Sequence, residues 1–366
     1  MLKFIKSQPV LAAAFAAAAV SMFIVPPDAG YVGYIDRKVL IQLFSLMTAV
    51  AGFRSIGIFE KATDKLLEHA GTVRRLGLVF VLICFFASML VTNDVALLTF
   101  IPLTLIAFES VDKKSLILTI VLETAAANLG SMLTPVGNPQ NLYIYNRFGL
   151  SAGVFVRTMA PAGIASLLIL VLLTFLLPKD KCAHEEHEAR ELEAAPLAGY
   201  SALFIVCLLT VFRVVPDWAC LIAAVVTALV FNRSLLAKVD YPLLATFVCF
   251  FIFVGNIARI GTVSETLSGL MNGREMLVSC ALSQVISNVP AAMMLSGFTG
   301  SGTQLLLGVN LGGLGTIIAS LASLISFQFY RKTEGASAVK YMAVFSAVNF
   351  GMLILLLLLQ RAVSAI

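Results

Sequence analysis

Apolar runs alternate with short polar connectors along almost the whole chain. They cover residues 11–25, 40–53, 76–91, 95–108, 115–133, 152–177, 202–214, 218–231, 241–257, 276–286, 305–329 and 341–359. A helix rises 1.5 Å per residue, so crossing hydrocarbon takes about 20 apolar residues. Several runs reach that length and others are too short, or are cut by Asn, Pro and Gly. The pattern predicts an all-α polytopic membrane protein in which some helices do not cross in one piece.

Composition agrees. Of 366 residues, 60% are apolar and 12% charged, against roughly 45–50% and 25% in soluble domains. A soluble globular fold is excluded, and the lipid bilayer is the expected surroundings. The net charge of +5 sits on no basic stripe with interleaved aromatics, so no nucleic-acid partner is expected. The six cysteines form no CxxC pair and read as small buried hydrophobes.

Lys/Arg bias orients the chain. With the N-terminus cytoplasmic and the runs beginning at 76 and 276 treated as hairpins, sixteen Lys/Arg fall inside and seven outside. Lys3 and Lys6 before an Ala-rich run have the charge layout of a signal peptide, but the pattern continues downstream and a first span is the plainer account. Nine charged residues crowd 179–194, which reads as part of a cytoplasmic linker, 179–197. Its His184-Glu185-Glu186-His187 lacks the HExxH spacing of a zinc helix and reads as a solvated acidic segment. The localisation expected is the cell (inner) membrane, multi-pass.

The two halves share an order of elements. In 1–178, Gly52 to Gly57 precede an amphipathic stretch to Leu67, an apolar run into Thr92-Asn93-Asp94, then Asn128-Leu129-Gly130-Ser131. In 198–366, Asn256 to Gly261 precede a stretch to Leu270, a run into Ser287-Asn288-Val289-Pro290, then Asn310-Leu311-Gly312-Gly313. The charge bias puts the first hairpin on the cytoplasmic side and the second outside, so the halves form two inverted repeats. Each is expected to hold a re-entrant hairpin (73–110 and 273–300) and a broken transmembrane helix (115–147 and 304–330). Such repeats are the architecture of secondary transporters.

Unpaired backbone groups in hydrocarbon cost several kcal/mol each, so breaks survive only where they line a polar cavity. Four are legible, at 92–94, 130–141, 287–290 and 310–315. Thr92, Asn93 and Asp94 offer a hydroxyl, an amide and a carboxylate beside the carbonyl end of the incoming helix, a candidate Na⁺ site. Ser287 and Asn288 form its counterpart. The starts of the returning helices present free N–H groups, which attract anions. In the longest break Thr134-Pro135-Val136-Gly137-Asn138-Pro139 removes helical bonds at its prolines and lets backbone approach a ligand at its glycines.

At these motifs the chain resembles the ion transporter superfamily of permeases, which takes in divalent-anion/sodium symporters, arsenite efflux permeases and D-type sodium/proton antiporters, with a citrate-transporter-like domain. Thr92-Asn93-Asp94 and Ser287-Asn288-Val289-Pro290 are similar to its hairpin tips, and Asn128 to Asn141 to its unwound helix. The resemblance implies a homodimer whose scaffold holds a mobile unit of hairpins and broken helices. It also implies substrate and ion binding by Thr92, Asn93, Asp94, Asn128, Gly130, Ser131, Thr134, Pro135, Gly137, Asn138, Ser287, Asn288, Asn310 and Gly312. Dicarboxylate symporters carry Ser-Asn-Thr at both tips. Here the third positions are Asp94 and Val289, and the second broken helix lacks a Thr-Pro step.

Plainer roles stand beside these. Asn93, Asp94, Ser287 and Asn288 suit helix caps; Glu123, an intramembrane acid and candidate coupling group, could be a packed hydrogen-bonding residue; Arg54 and Arg157 can snorkel; Gly308 and Gly312 suit close helix packing. The expected function is a cation-coupled (Na⁺ or H⁺) permease for a small anionic substrate. The alternative is a sodium/proton antiporter or oxyanion efflux permease titrating at Asp94. With no soluble domain and no nucleophile, base and acid set, an enzyme or receptor is disfavoured. No cofactor beyond the coupling ion is expected.

Overall fold

The structure, a computed structural model, describes residues 8–61, 71–181 and 192–364. Lys3, Lys6, residues 62–67 of the amphipathic stretch and the 184–187 His/Glu cluster lie outside these residues. Secondary structure among the described residues is helical apart from one bridge, Thr72 with Lys181.

The first half runs α1 (Pro9–Ile24), α2 (Arg37–Ser55), α3 (Val73–Val91), α4 (Asn93–Ala107), α5 (Lys113–Ser131), α6 (Pro139–Arg147) and α7 (Ala152–Thr174). After the linker come α8 (Ala194–Val211), α9 (Asp217–Phe231), α10 (Tyr241–Ala258), α11 (Gly261–Met271), α12 (Glu275–Ile286), α13 (Asn288–Leu295), α14 (Gly302–Leu311), α15 (Leu321–Tyr330) and α16 (Ala338–Ser364). Among the described residues α3, α7, α8, α10 and α16 are long and apolar enough to cross a membrane, as a polytopic membrane protein requires.

Helix α1 packs against α10, and α8 and α9 pack against α2. Elsewhere α3, α4 and α5 pack on one another, α12 packs on α14, α15 lies across α4, and α6 lies across α13, while α10 on α13 and α2 on α6 join the two groups. The return arm after each tip is thus covered by the far segment of the other half's broken helix. Phe80, Phe85, Leu97, Phe100 and Phe108 fill the interior between α3, α4 and α5. Leu168, Leu172, Leu355 and Leu358 stay exposed on α7 and α16, the arrangement a lipid-facing surface calls for.

Lipid gives helices no hydrophobic reason to associate, so close contact relies on small residues. Ala125, Ala126 and Ala127 surround α5 with small buried side chains, and a Cβ at Gly130 would strike the Phe85 carbonyl of α3. Gly308 and Gly312 do the same for α14 on α12, where Cβ atoms would meet Met276 and Cys280. The GxxxG spacing therefore serves packing within one half.

Arginines satisfy carbonyls that helices leave open. Pro102 inside α4 has no N–H for the Leu98 carbonyl; Arg54 at the end of α2 donates to it at 3.2 Å. Arg74 donates to the Phe175 and Leu177 carbonyls beyond α7, both at 2.9 Å. Arg213 donates to Tyr145 and Leu150 at 3.2 Å beyond α6 and stacks on the Tyr145 ring.

Candidate functional site

The tips are sharper than the sequence suggests. One residue is non-helical at each: Thr92 between α3 and α4, Ser287 between α12 and α13. Asn93 and Asp94, and Asn288 to Pro290, belong to the first turns that follow. The backbones agree closely, with φ 75° and ψ 151° at Thr92 and φ 78° and ψ 157° at Ser287. That region is essentially glycine's, and a side chain held there costs about 1–3 kcal/mol. Neither residue caps through its side chain.

A backbone bond docks each tip. The Asn93 N–H donates to the Gly137 carbonyl at 3.1 Å, and the Asn288 N–H to the Ala319 carbonyl at 2.9 Å. Thr134 donates its hydroxyl to the carbonyl of Met89, three residues before the first tip. Thr316 does the same to Gln284, three before the second, at 2.9 Å. Thr316 to Ser320 is therefore the counterpart of Thr134 to Asn138, with Ile317 where Pro135 stands. The second break lacks a Thr-Pro step, as expected, since its threonine, Thr316, is followed by Ile317. The breaks also shift: they occupy 132–138 and 312–320, so Asn128, Gly130, Ser131 and Asn310 are helical.

The halves are cross-linked by amides and hydroxyls. The Asn128 Oδ1 accepts from Asn93 Nδ2 at 3.0 Å and from Ser320 Oγ at 2.9 Å, while its Nδ2 reaches the Gly313 carbonyl at 3.5 Å. Reciprocally, Asn138 donates to Asn310 Oδ1 at 3.1 Å and to Ser131 Oγ at 3.2 Å, and Asn310 donates to Asn141 Oδ1 at 2.7 Å. All these side chains are at least 96% buried. Asn128 and Asn310, like Thr134 and Thr316 or Asn138 and Ser320, stand 182 positions apart, and each of the two asparagines accepts from the opposite half, Asn128 from Ser320 and Asn310 from Asn138.

Two residues that sequence reasoning left out of the site keep the breaks satisfied. Asn141 donates to the Ser131 and Thr134 carbonyls at 3.2 and 3.0 Å. On the other side Gln284 donates to Gly312 and Leu314 at 2.9 and 3.0 Å and accepts from the Thr316 N–H at 2.9 Å. Gly315, at φ 100°, turns the chain beside Gln284. A long amide one turn before a tip was the signal available for Gln284.

The N-termini of α4, α6, α13 and α15 all open onto this cluster, through Asn93, Asn138, Asn288 and Ser320. Their positive dipole ends favour an anion. Carbonyl ends of α3, α5, α12 and α14 meet there too and suit a cation. The cluster is electrically neutral in its side chains, so it can take both.

Asp94 stands apart from the network. It is half-buried, its Oδ1 is enclosed without a partner, and the Asp240 carboxylate, which caps α10, acts on it. Glu123 is also elsewhere, wholly buried between α3, α4 and α5. Asn93 Oδ1 is buried and unpartnered, an open acceptor beside the first tip. A cavity of about 330 Å³ lined by Tyr34, Asp36, Arg147 and Ser296 ends on the bond between Tyr143 Oη and Ser296 Oγ, 2.6 Å.

Residues 3–305 match the citrate transporter family. The chain is 33% identical over 297 residues to an uncharacterized transporter of Methanocaldococcus jannaschii, covering 80% of this chain and 81% of that one. It is 34% identical over 299 residues to the inner membrane protein YbiR of Escherichia coli, covering 80% of each. A silicon efflux transporter of Oryza sativa subsp. japonica is 29% identical over 177 residues, 46% of this chain and 36% of the rice protein.

Proposed function

The chain belongs to the citrate transporter family, and we propose that it is a secondary active transporter, a cation-coupled permease that carries a small carboxylate or oxyanion by alternating access. The single observation that carries this reading is the convergence of four helix N-termini on one cluster of buried, uncharged amides and hydroxyls. Four such ends favour an anion, and the neighbouring carbonyl ends suit the Na⁺ or H⁺ that offsets its charge. Thr92, Asn93 and Asp94 at one tip, and Ser287 and Asn288 at the other, are the residues we assign to the cation.

We propose the same inverted arrangement that the charge bias suggests. The backbone bond that docks each tip and the threonine hydroxyl bond beside it recur in both halves, and α8 stands between the halves without a counterpart, so a single extra crossing turns the second half over. The hairpins α3–α4 and α12–α13 are then re-entrant, the linker cytoplasmic with the N-terminus, the membrane the inner one as for the bacterial relative, and the assembly a homodimer.

Uptake sets an energetic condition. A dianion entering against about 100 mV is opposed by roughly 4.6 kcal/mol, which two cations only cancel. Concentrative uptake then needs a steep cation gradient or a third cation. A second reading, efflux of an oxyacid, is favoured by the rice relative's name; the same amide cluster would hold that cargo, with Asp94 titrating.

Purified protein in proteoliposomes tests the reading, with radiolabelled citrate as first cargo under imposed Na⁺ or H⁺ gradients. A thermal-shift panel of other anions runs alongside, since a ligand at 100 times its Kd should stabilise by about 2.7 kcal/mol. Gradient-dependent flux, or an anion shift that Asn128→Ala abolishes, supports the assignment. An anion shift untouched in Asn128→Ala and Asn310→Ala would move the site elsewhere.

A further inference from the structure

The buried acid on α5 lies outside the amide cluster. Glu123 is 0% exposed. Its Oε1 accepts from Thr104 Oγ1 on α4 at 2.6 Å and lies 3.7 Å from Cys84 Sγ on α3, so both arms of the first hairpin close on one oxygen. Its Oε2 is enclosed with no partner. Beside it Thr124 donates to Ser326 Oγ on α15 at 2.7 Å. The hydroxyl of Ser323 on α15 is likewise buried without a partner.

Among the described residues no cation answers this carboxyl. The helices packed on α5 are α3, α4, α7, α14, α15 and α16. Titratable groups facing Glu123 from them are the Cys84 thiol and the Tyr341 hydroxyl, with Tyr330 against Tyr341. The charged residues on those helices, Arg74 and Arg75 on α3, Asp94 on α4, Arg157 on α7, and Lys340 and Arg361 on α16, stand within two turns of helix ends, as do Lys113 and Lys114 on α5; α14 and α15 carry none. A carboxylate walled in this way has lost its water and gained no counter-charge, so it takes up a proton instead.

The repeat does not require an acid here. At the spacing of 182 that pairs Asn128 with Asn310 and Thr134 with Thr316, Glu123 pairs with Leu305 and Thr124 with Leu306. A group present in one half, clamped between both arms of one hairpin, is suited to report that hairpin's position. Closed arms hold the neutral acid; parted arms admit water, and the acid releases H⁺ as the carboxylate forms.

The geometry points to Glu123 as a proton site coupled to movement of the first hairpin, so that a proton accompanies each transport cycle. This deepens the coupled-permease reading and rests on it. Two measurements separate the failures. Infrared spectra of the purified protein in lipid at neutral pH should show the C=O stretch of a protonated carboxylic acid that Glu123→Gln removes and Asp94→Asn leaves. Absence of the band in wild type, or its survival in Glu123→Gln, overturns the proton site whether or not citrate is transported. In proteoliposomes, an imposed gradient of one pH unit supports about tenfold accumulation at one proton per cargo. Glu123→Gln should reduce that ratio to about one while keeping citrate exchange at equal pH on both sides. Accumulation unchanged in Glu123→Gln overturns the coupling role, and absence of citrate flux in wild type counts against citrate as cargo alone.

Discussion

Replacing Thr92 or Ser287 by glycine should leave the protein as stable or make it more so. Each residue holds a backbone that L side chains rarely adopt, at φ 75° and 78°, and relief of that strain is worth about 1–3 kcal/mol. Glycine gives back about 0.4–1 kcal/mol through the freer unfolded chain. The net gain per tip is between about 0 and 2.6 kcal/mol, or up to about 5 °C at roughly 2 °C per kcal/mol for a chain of this size. Because neither side chain caps its helix, no hydrogen bond of the kind that normally makes a cap valuable is lost at Thr92. Alanine in the same place keeps the strain and should not give the gain. The protein carries its own thermometer: Cys84, Cys207, Cys220 and Cys280 are buried, so a thiol-reactive dye follows unfolding on heating. Ligand binding should move the other way, since a freer tip must be ordered before it holds an ion. If Thr92→Gly melts well below Thr92→Ala, the tip is not strained and the argument fails.

Asn93→Ala and Asn288→Ala should both abolish transport while the protein still folds; wild-type flux in either would make the tips structural only. Asn128→Ala, which strands Asn93 Nδ2 and Ser320 Oγ, should lower stability by about 2–6 kcal/mol at 1–3 kcal/mol per buried unpaired group, read in the same melting assay. Cysteines placed at Arg147 and Arg274 should label from outside intact cells and one at Lys113 should not; the reverse pattern would invert the topology. At the loop after α1, the hydrogen bond from Arg259, 2.8 Å away in an ion pair, holds the Asp28 carboxyl below its ordinary 3.8. A depressed folded value stabilises above 3.8 and is lost as pH falls below it. Arg259→Ala should therefore flatten the acid limb of the melting curve below that pH, and an unchanged limb would show the pair to be without effect.

Much of the site was legible because breaking a helix in an apolar run demands particular residues. Asn, Pro and Gly at 92–94, 130–141 and 287–290 announce the tips and the first break. The second break was underestimated because Ile317 and Ile318 continue an apolar run; only the docking of Asn288 on the Ala319 carbonyl shows that the chain is unwound as far as Ser320. The bonds from Asn138 to Asn310 and from Ser320 to Asn128 join residues 172 and 192 positions apart, a separation at which one sequence carries no signal. Arg54 reads as a snorkelling residue, and its actual partner, the Leu98 carbonyl, is visible only when Pro102 is seen to have released it. Glu123 was noticed as an acid, but its enclosure by Cys84 and Thr104 is a matter of packing.

The hydrogen bonds between the halves bear on how such a chain can be assembled. Asn310 accepts from Asn138, the cap of α6, and Asn128 accepts from Ser320 at the start of α15, so each half made alone would bury amides and hydroxyls whose partners are on the other polypeptide. Two fragments cut within the linker should fail to mature singly and succeed when synthesised together, as complementing parts.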